Sequence, residues 1–191
     1  MSVKALFMPW PVALKEPERV LDDLASWTAI NTLIFSNSYW KWGQEGSPLI
    51  LPSGNASEGM GLQKVSPEDY ASIIRFLSLA KERGFQVTCN ICPLHPLSPD
   101  LSKLRMVDIT ESNRESNSMI MHGCPNNPGV LQWAETVMRE TVASWSSLDS
   151  VHLNHIEYPV WPRNGLKDLF VCFCDHCRDK AEAEGIDFDK M

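Results

Sequence analysis

The most constraining feature of this 191-residue sequence is an alternation, in which short apolar runs take turns with longer stretches whose apolar residues recur at helical spacing. Val3 to Met8 and Thr32 to Ser36 read as a first and a second buried strand, Phe85 to Ile91 (FQVTCNI) reads as a third strand and Ser150 to Glu157 as a fourth. Pro17 to Trp27 reads as a helix. Pro17 sits at its start, Glu16 and Glu18 favour the positive end of its dipole, and Val20, Leu21, Leu24 and Trp27 form one stripe. Ser66-Pro67-Glu68-Asp69 supplies an N-cap, a first-turn proline and two acids for the next helix, which Arg83-Gly84 closes. Pro128 opens a long helix with Val130, Trp133, Ala134, Val137, Val142 and Trp145 in its stripe, and Asp175 to Glu184 forms a last one ended by Gly185. Four strand-helix units in strict alternation predict an α/β fold with a parallel sheet and right-handed crossovers.

A doubly wound sheet and a (β/α)8 TIM barrel both satisfy that alternation. The helix-to-strand connections are short. Three of the four strand-to-helix connections are long and hold polar and aromatic residues, notably Asn37 to Ser66 and the stretch from Ile91 to about Asn126. That asymmetry suits a barrel whose active face lies at the strand C-termini. A dinucleotide-binding fold loses its main support, because MPWPVAL stands after the first strand where G-x-G-x-x-G would be needed. A complete barrel takes about 250 residues, so residues 1–191 are expected to form the N-terminal part of a single barrel domain, half of a (β/α)8 barrel. The unpaired edges of such a half invite a partner, either the missing half in cis or another chain.

The formal charge of −7 and pI near 5.2 offer no basic face to a phosphate backbone, so nucleic acid is not an expected partner. No stretch approaches the eighteen or so apolar residues of a membrane span, and Pro9 and Pro11 break the N-terminal apolar run before any cleavage site. A soluble, cytoplasmic protein is expected.

Chemistry concentrates late in the chain. The C-x-C-x-x-C at Cys172, Cys174 and Cys177 places three thiols where they can face one ion, and thiolates in fours suit tetrahedral zinc. His176 adjoins Cys177 and would have difficulty turning to the same ion, so the fourth ligand comes from elsewhere. Cys124, in the HGCPNNP stretch, is the candidate, since in a barrel the loop after strand three neighbours the loop after strand four. Free thiols, a disulfide or an iron-sulfur cluster are the alternatives. Cys89 and Cys92 read as small buried residues of a strand and its exit. A four-thiolate shell leaves no open position for water, so the expected role of the zinc is structural.

Glu157 closes the fourth strand at the face where barrel enzymes keep their chemistry. A partly buried carboxylic acid there has a raised pKa and suits a proton donor; a solvated loop acid beginning at Pro159 is the alternative. Strand parity separates Asn154 and His152 from His155 and Glu157, so Asn154 and Glu157 share the mouth only if the strand ends or bulges near Ile156. A histidine in this strand reads as a hydrogen-bonded wall residue ahead of a base. A metal-dependent hydrolase using His95, His152 or His155 lacks any H-x-H or H-E-x-x-H spacing. Trp10, Tyr39, Trp40, Trp42 and Trp161 all fall at or just after strand ends. There they either cover the core or stack on the apolar face of a sugar ring, and with His95 and His155 they are the candidate substrate contacts.

Together these stretches resemble barrel glycoside hydrolases, in particular the β-galactosidases of glycoside hydrolase family 42. That family carries an acid/base glutamate in an Asn-Glu-Tyr context at the end of strand four, then a C-x-C-x-x-C that joins an earlier cysteine around a structural zinc. Glu157-Tyr158 stands in the place of Glu-Tyr, Cys172, Cys174 and Cys177 match the triplet, and Cys124 matches the earlier cysteine. The departure is NHIEYP, where His155 and Ile156 separate Asn154 from Glu157. The stretch also looks like the HLDYIRYP type of strand in related barrel hydrolases, with Asn154 in place of the aspartate and Glu157 in place of the arginine. The resemblance is specific over residues 122 to 180. It implies hydrolysis of O-glycosidic bonds of a carbohydrate substrate by two carboxylic acids, with Glu157 as proton donor, Asn154 beside it, and the second carboxylate on a later strand. By that reading the 191 residues alone do not turn over substrate. A zinc-stabilised carbohydrate-binding or assembly module without catalysis is the competing expectation.

Overall fold

The structure is a computed structural model that describes residues 3–8, 10–27, 29–36, 50–51, 63–64, 66–94, 103–104, 106, 122–145, 147–154, 156 and 172–190. Six strands appear among them, β1 (Ala5–Met8), β2 (Thr32–Ser36), β3 (Ile50–Leu51), β4 (Gln63–Lys64), β5 (Gln86–Ile91) and β6 (Ser150–Leu153). The helices are α1 (Trp10–Lys15), α2 (Pro17–Ser26), α3 (Pro67–Glu82), α4 (Pro128–Ser144) and α5 (Asp175–Ala183), with a 3-10 turn at Phe188–Lys190. The chain forms two compact units. The first comprises Met1–Glu58, Leu62–Ile91 and Val137–Asn154; the second comprises Gly59–Gly61, Cys92–Thr136 and His155–Met191.

In the first unit β1, β2, β5 and β6 pair in parallel in that spatial order, so each new strand adds to the same edge. A doubly wound sheet must reverse direction somewhere to create its switch point; this order never does, and it is the winding of consecutive barrel strands. The residues on one side of the sheet, Leu33 and Phe35 of β2 and Val87 of β5, pack with Leu21 and Leu24 of α2, Ile73, Phe76, Leu77 and Ala80 of α3, and Trp145. Phe35 and Phe76 meet edge to face at 5.4 Å between ring centroids. Removing such side chains from water stabilises the unit by roughly 1.5–3 kcal/mol each.

The opposite side is polar and concave. Register brings Phe7, Ile34, Thr88 and Ser150 into one cross-strand layer and Ser36, Asn90 and His152 into the next, toward the strand C-termini. Phe7 on β1 and His152 on β6 are three strand spacings apart, about 14 Å across a flat sheet, yet their ring centroids lie 5.9 Å apart. Only a sheet curled strongly toward this side lets those two side chains meet, and that curl is the curvature of a barrel wall.

Local grammar accounts for the boundaries. Ser66 caps α3 by accepting from the Asp69 N–H at 3.1 Å, with Pro67 in the first turn. At its end Gly84 takes φ +84°, its N–H donates to Lys81 O and Phe85 N–H donates to Ala80 O, which satisfies two terminal carbonyls and turns the chain straight into β5. Gly185 repeats the device at φ +75° after α5, with Gly185 and Ile186 donating to Glu182 O and Ala181 O. Asn127 caps α4, its Oδ1 accepting from Gly129 N–H at 2.9 Å.

Several expectations are corrected. The fourth strand ends at Leu153 rather than Glu157, because its partner β5 ends at Ile91, which registers with Leu153. The first strand starts at Ala5 and is only partly buried: Met8 packs in the core, whereas Phe7 is 53% exposed and Val3, before the strand, 70%, because β1 is an edge strand. The Asn37 to Ser66 stretch holds a two-stranded parallel pair, β3 with β4, and α1 occupies the connection after β1. Val142 is exposed, whereas Thr141 is fully buried, because the position four residues after Val137 continues the apolar stripe and the one five residues after it does not.

Candidate metal centre and strand-end face

The cysteines come together from two connections of the chain, both within the second unit. Cys174 is the residue before α5, with extended backbone (φ −73°, ψ 162°), and Cys177 lies three residues on, in the first turn. That spacing puts both sulfurs on one side of the helix start, and Cys177 N–H donates to Cys174 O at 2.9 Å. Cys172 lies two residues before Cys174. Cys124 opens a tight turn with Pro125 at its second position, closed by Asn127 N–H donating to Cys124 O at 2.9 Å. The turn is held by extended-chain bonds on its entry side, Met106 N–H to His122 O and Cys124 N–H to Leu104 O.

The four Sγ atoms lie within 4.8 Å of one another. Cys124 Sγ is 3.4 Å from Cys177 Sγ and 3.6 Å from Cys174 Sγ. A tetrahedron with Zn–S bonds of about 2.3 Å has sulfur-sulfur edges of about 3.8 Å, so the cluster closes on a metal with shifts of a few tenths of an ångström at these contacts. None of the six cysteines is in a disulfide. Cys124, Cys172 and Cys177 are buried together with Met106, and Phe188 packs against them. His176 is exposed and lies outside the cluster, and Cys89 and Cys92 do not join it.

Electrostatics within the cluster favour metal capture. Hydrogen bonding between the sulfurs, with Cys124 first and then Cys172, holds the Cys174 thiol far below its ordinary range. The same bonds act in reverse on Cys124, whose proton is held by Cys172 and Cys174, with burial pushing the same way. One thiolate is therefore easy to form and the last very hard, since like charges gather in a buried space. A divalent cation resolves that repulsion. N–H groups already point at the sulfurs: the backbone N–H of Asn126 at Cys124, that of Cys177 at Cys174, and Asn126 Nδ2 at Cys177 Sγ at 3.3 Å. Lys180 Nζ donates to Asn126 Oδ1 at 3.2 Å, fixing which end of that amide faces the sulfur. Phe173 and Arg178 both contact the Phe188 ring, at 5.3 Å and 5.2 Å, which ties α5 to the 3-10 turn beyond it. Four soft donors with no open position fit a structural ion such as zinc.

Of the other residues singled out from sequence, Asn154 is half-buried just beyond β6, and its N–H donates to Ile91 O at 2.9 Å, continuing the ladder by one bond. Glu157, Tyr39, Trp40, Trp42, His95, His155 and Trp161 lie outside the described residues. Trp10 opens α1, and its side chain is likewise outside them. Sequence reading missed Asn90, whose Oδ1 lies 2.7 Å from His152 Nδ1, and the neighbouring Thr88 Oγ1 and Ser150 Oγ, 2.7 Å apart. The signal was available: Thr88 and Asn90 alternate with Val87, Cys89 and Ile91 along the third predicted strand. Among the described residues no helix is long and apolar enough to cross a membrane.

No protein-family model matches the sequence, and no curated protein is significantly similar to it. Solved structures are. A hypothetical protein from Ruminiclostridium thermocellum superposes with a TM-score of 0.58 at 17% identity, over 86% of this chain and 83% of that one. The GH20 exo-β-N-acetylglucosaminidase from Vibrio harveyi, in complex with N-acetylglucosamine, matches with a TM-score of 0.59 at 13% identity, over 97% of this chain but 31% of its own. A noncanonic maltogenic α-amylase from Thermotoga neapolitana gives 0.51 at 16% identity, over 85% and 40%. The chain thus spans less than half the length of either enzyme, and at these identities the likeness is one of fold. With four parallel strands wound in sequence, an α/β architecture matching part of TIM-barrel glycoside hydrolases is what this chain shares with known proteins.

Proposed function

We propose that this chain is the N-terminal half of a (β/α)8 glycoside hydrolase, braced by a zinc ion on Cys124, Cys172, Cys174 and Cys177. The observation that carries the reading is the convergence of four sulfurs within 4.8 Å from the connections after β5 and β6. Those are the connections that build the active face of a barrel. When bound, zinc supplies no chemistry to the reaction; it holds two loops against each other. Lys180 and Asn126 orient one ligand, and the N–H groups of Asn126 and Cys177 shield the thiolate charge. The concave polar face and the barrel-wall curl support a carbohydrate-acting site at the strand ends, and the fold neighbours named for N-acetylglucosamine and maltose chemistry support the substrate class. In this reading Glu157 protonates the departing glycosidic oxygen and Asn154 lies beside it, as the family 42 resemblance implies. The second carboxylate comes from a later strand, supplied in cis or by a partner chain.

The test has two parts. Purified protein should carry about one equivalent of zinc per chain, lost in Cys174→Ser with Cys177→Ser; metal-free protein with unchanged stability refutes the brace. In the completed barrel, Glu157→Gln should abolish hydrolysis of aryl β-glycosides with poor leaving groups while sparing those with good ones. Equal activity on both classes removes Glu157 from the mechanism.

A further inference from the structure

The second polar layer of the concave face holds a pair that neither the metal brace nor Glu157 accounts for. Asn90 is 5% exposed, and its Oδ1 accepts at 2.7 Å from His152 Nδ1. An amide oxygen can only accept, so Nδ1 carries the ring proton and Nε2 of a neutral His152 is left with its lone pair. His152 itself is exposed, at the C-terminal end of β6. A pair serving only to satisfy Asn90 would need neither the exposed ring nor a fixed tautomer. One layer below, the Phe7 ring is half-exposed and meets the His152 ring edge to face at 5.9 Å, so an apolar wall stands against the acceptor nitrogen's ring. The two layers, Ser36, Asn90 and His152 over Phe7, Ile34, Thr88 and Ser150, carry no carboxylate, lysine or arginine. Among the described residues these layers offer hydrogen-bonding groups, an aromatic wall and no charged side chain, which matches a neutral polyhydroxyl ring, whose hydroxyls need acceptors and whose C–H face needs an apolar surface.

We propose that His152, oriented by Asn90, is a substrate-binding residue that accepts a hydrogen bond from a hydroxyl of a neutral pyranose lying against Phe7. The inference rests on the carbohydrate reading above and names the contact within it. His152 binds and Asn90 positions; neither takes part in bond cleavage.

The experiment follows the imidazole nitrogens of 15N-labelled, zinc-loaded protein by NMR during titration with the methyl β-pyranosides of galactose and glucose. In free protein the His152 spectrum should show Nδ1 protonated and Nε2 bare, and Nε2 should move toward the hydrogen-bonded range as sugar binds. His152→Gln, at an exposed position, should weaken binding about fivefold without changing the unfolding midpoint. Asn90→Ala should give mixed tautomers and a similar loss. Binding of a sugar with His152 Nε2 unmoved, or undiminished in His152→Gln, overturns this inference and leaves the glycosidase reading standing. No binding of either sugar overturns both.

Discussion

Asn126→Ala is the sharpest probe of the candidate metal centre, because it removes one defined bond to a sulfur and leaves the four cysteines in place. Three N–H groups point at the sulfurs, and two of them are backbone groups that the substitution keeps. Of these three only the Nδ2 contact to Cys177 Sγ, at 3.3 Å, is lost, together with the Lys180 bond to Asn126 Oδ1 that orients the amide. A hydrogen bond to a charged acceptor contributes about 1.5–3 kcal/mol. Sulfur is a weak acceptor and the metal shares its charge, so the lower end applies: about 1.5 kcal/mol, or about tenfold weaker zinc binding. That sits at the floor of the 10- to 100-fold losses, roughly, that follow removal of outer-shell partners in metal sites. Lys180→Ala should cost less, about twofold, since its ammonium acts through Asn126 from an exposed position where solvent screens it. Competition with a chromophoric chelator at fixed pH and ionic strength measures both. An unchanged zinc affinity in Asn126→Ala, or a larger loss in Lys180→Ala than in Asn126→Ala, refutes the ordering of these contacts.

Two further expectations concern the first unit. Thr141 is fully buried in α4 and its Oγ1 has no hydrogen-bond partner among the described residues, so Thr141→Val should raise stability by about 1 kcal/mol in urea unfolding; a loss of stability would mean the hydroxyl is satisfied in solution. Asp149 joins β6 to β5, its Oδ2 accepting from Val87 N–H at 2.8 Å and its Oδ1 pairing with Lys81 at 3.0 Å. The Val87 N–H first, and Lys81 after it, hold the carboxyl below its ordinary pKa, so the folded state prefers it ionised. The resulting stability is fully present above the ordinary carboxylate pKa and drains away as pH falls through the lowered folded value. A side chain about a third exposed limits the effect to about 1 kcal/mol. Asp149→Asn should therefore flatten the acid limb of the unfolding midpoint against pH, and an unchanged limb refutes the assignment.

Much of this was legible in residues. Pro17, the Ser66-Pro67 start, Arg83-Gly84 and Gly185 mark their helix ends because capping and left-handed turns are local chemistry, decided within four or five residues. The Cys172, Cys174 and Cys177 triplet was legible for the same reason, and Cys124 followed from its position in the connection after the third sheet strand. What escaped was set by partners distant in sequence. Asn90 and His152 are 62 residues apart, and nothing in QVTCNI alone says that its polar alternation faces a second polar strand. The end of β6 was likewise misjudged because it is fixed by where β5 stops, not by the apolar run of its own sequence. Thr141 displaced Val142 from the stripe because hydrophobicity was weighed above helical phase.

The placement of the four sulfurs also dictates an order of events during synthesis. Cys124 leaves the ribosome 53 residues before Cys177, and nothing can close on it until the triplet follows. The three late thiols emerge within six residues of one another, as a local hook that the start of α5 shapes. Every strand of the curled sheet has by then been made. On the proposed reading a metal ion can therefore join these two connections only after all four strands of the sheet have been made.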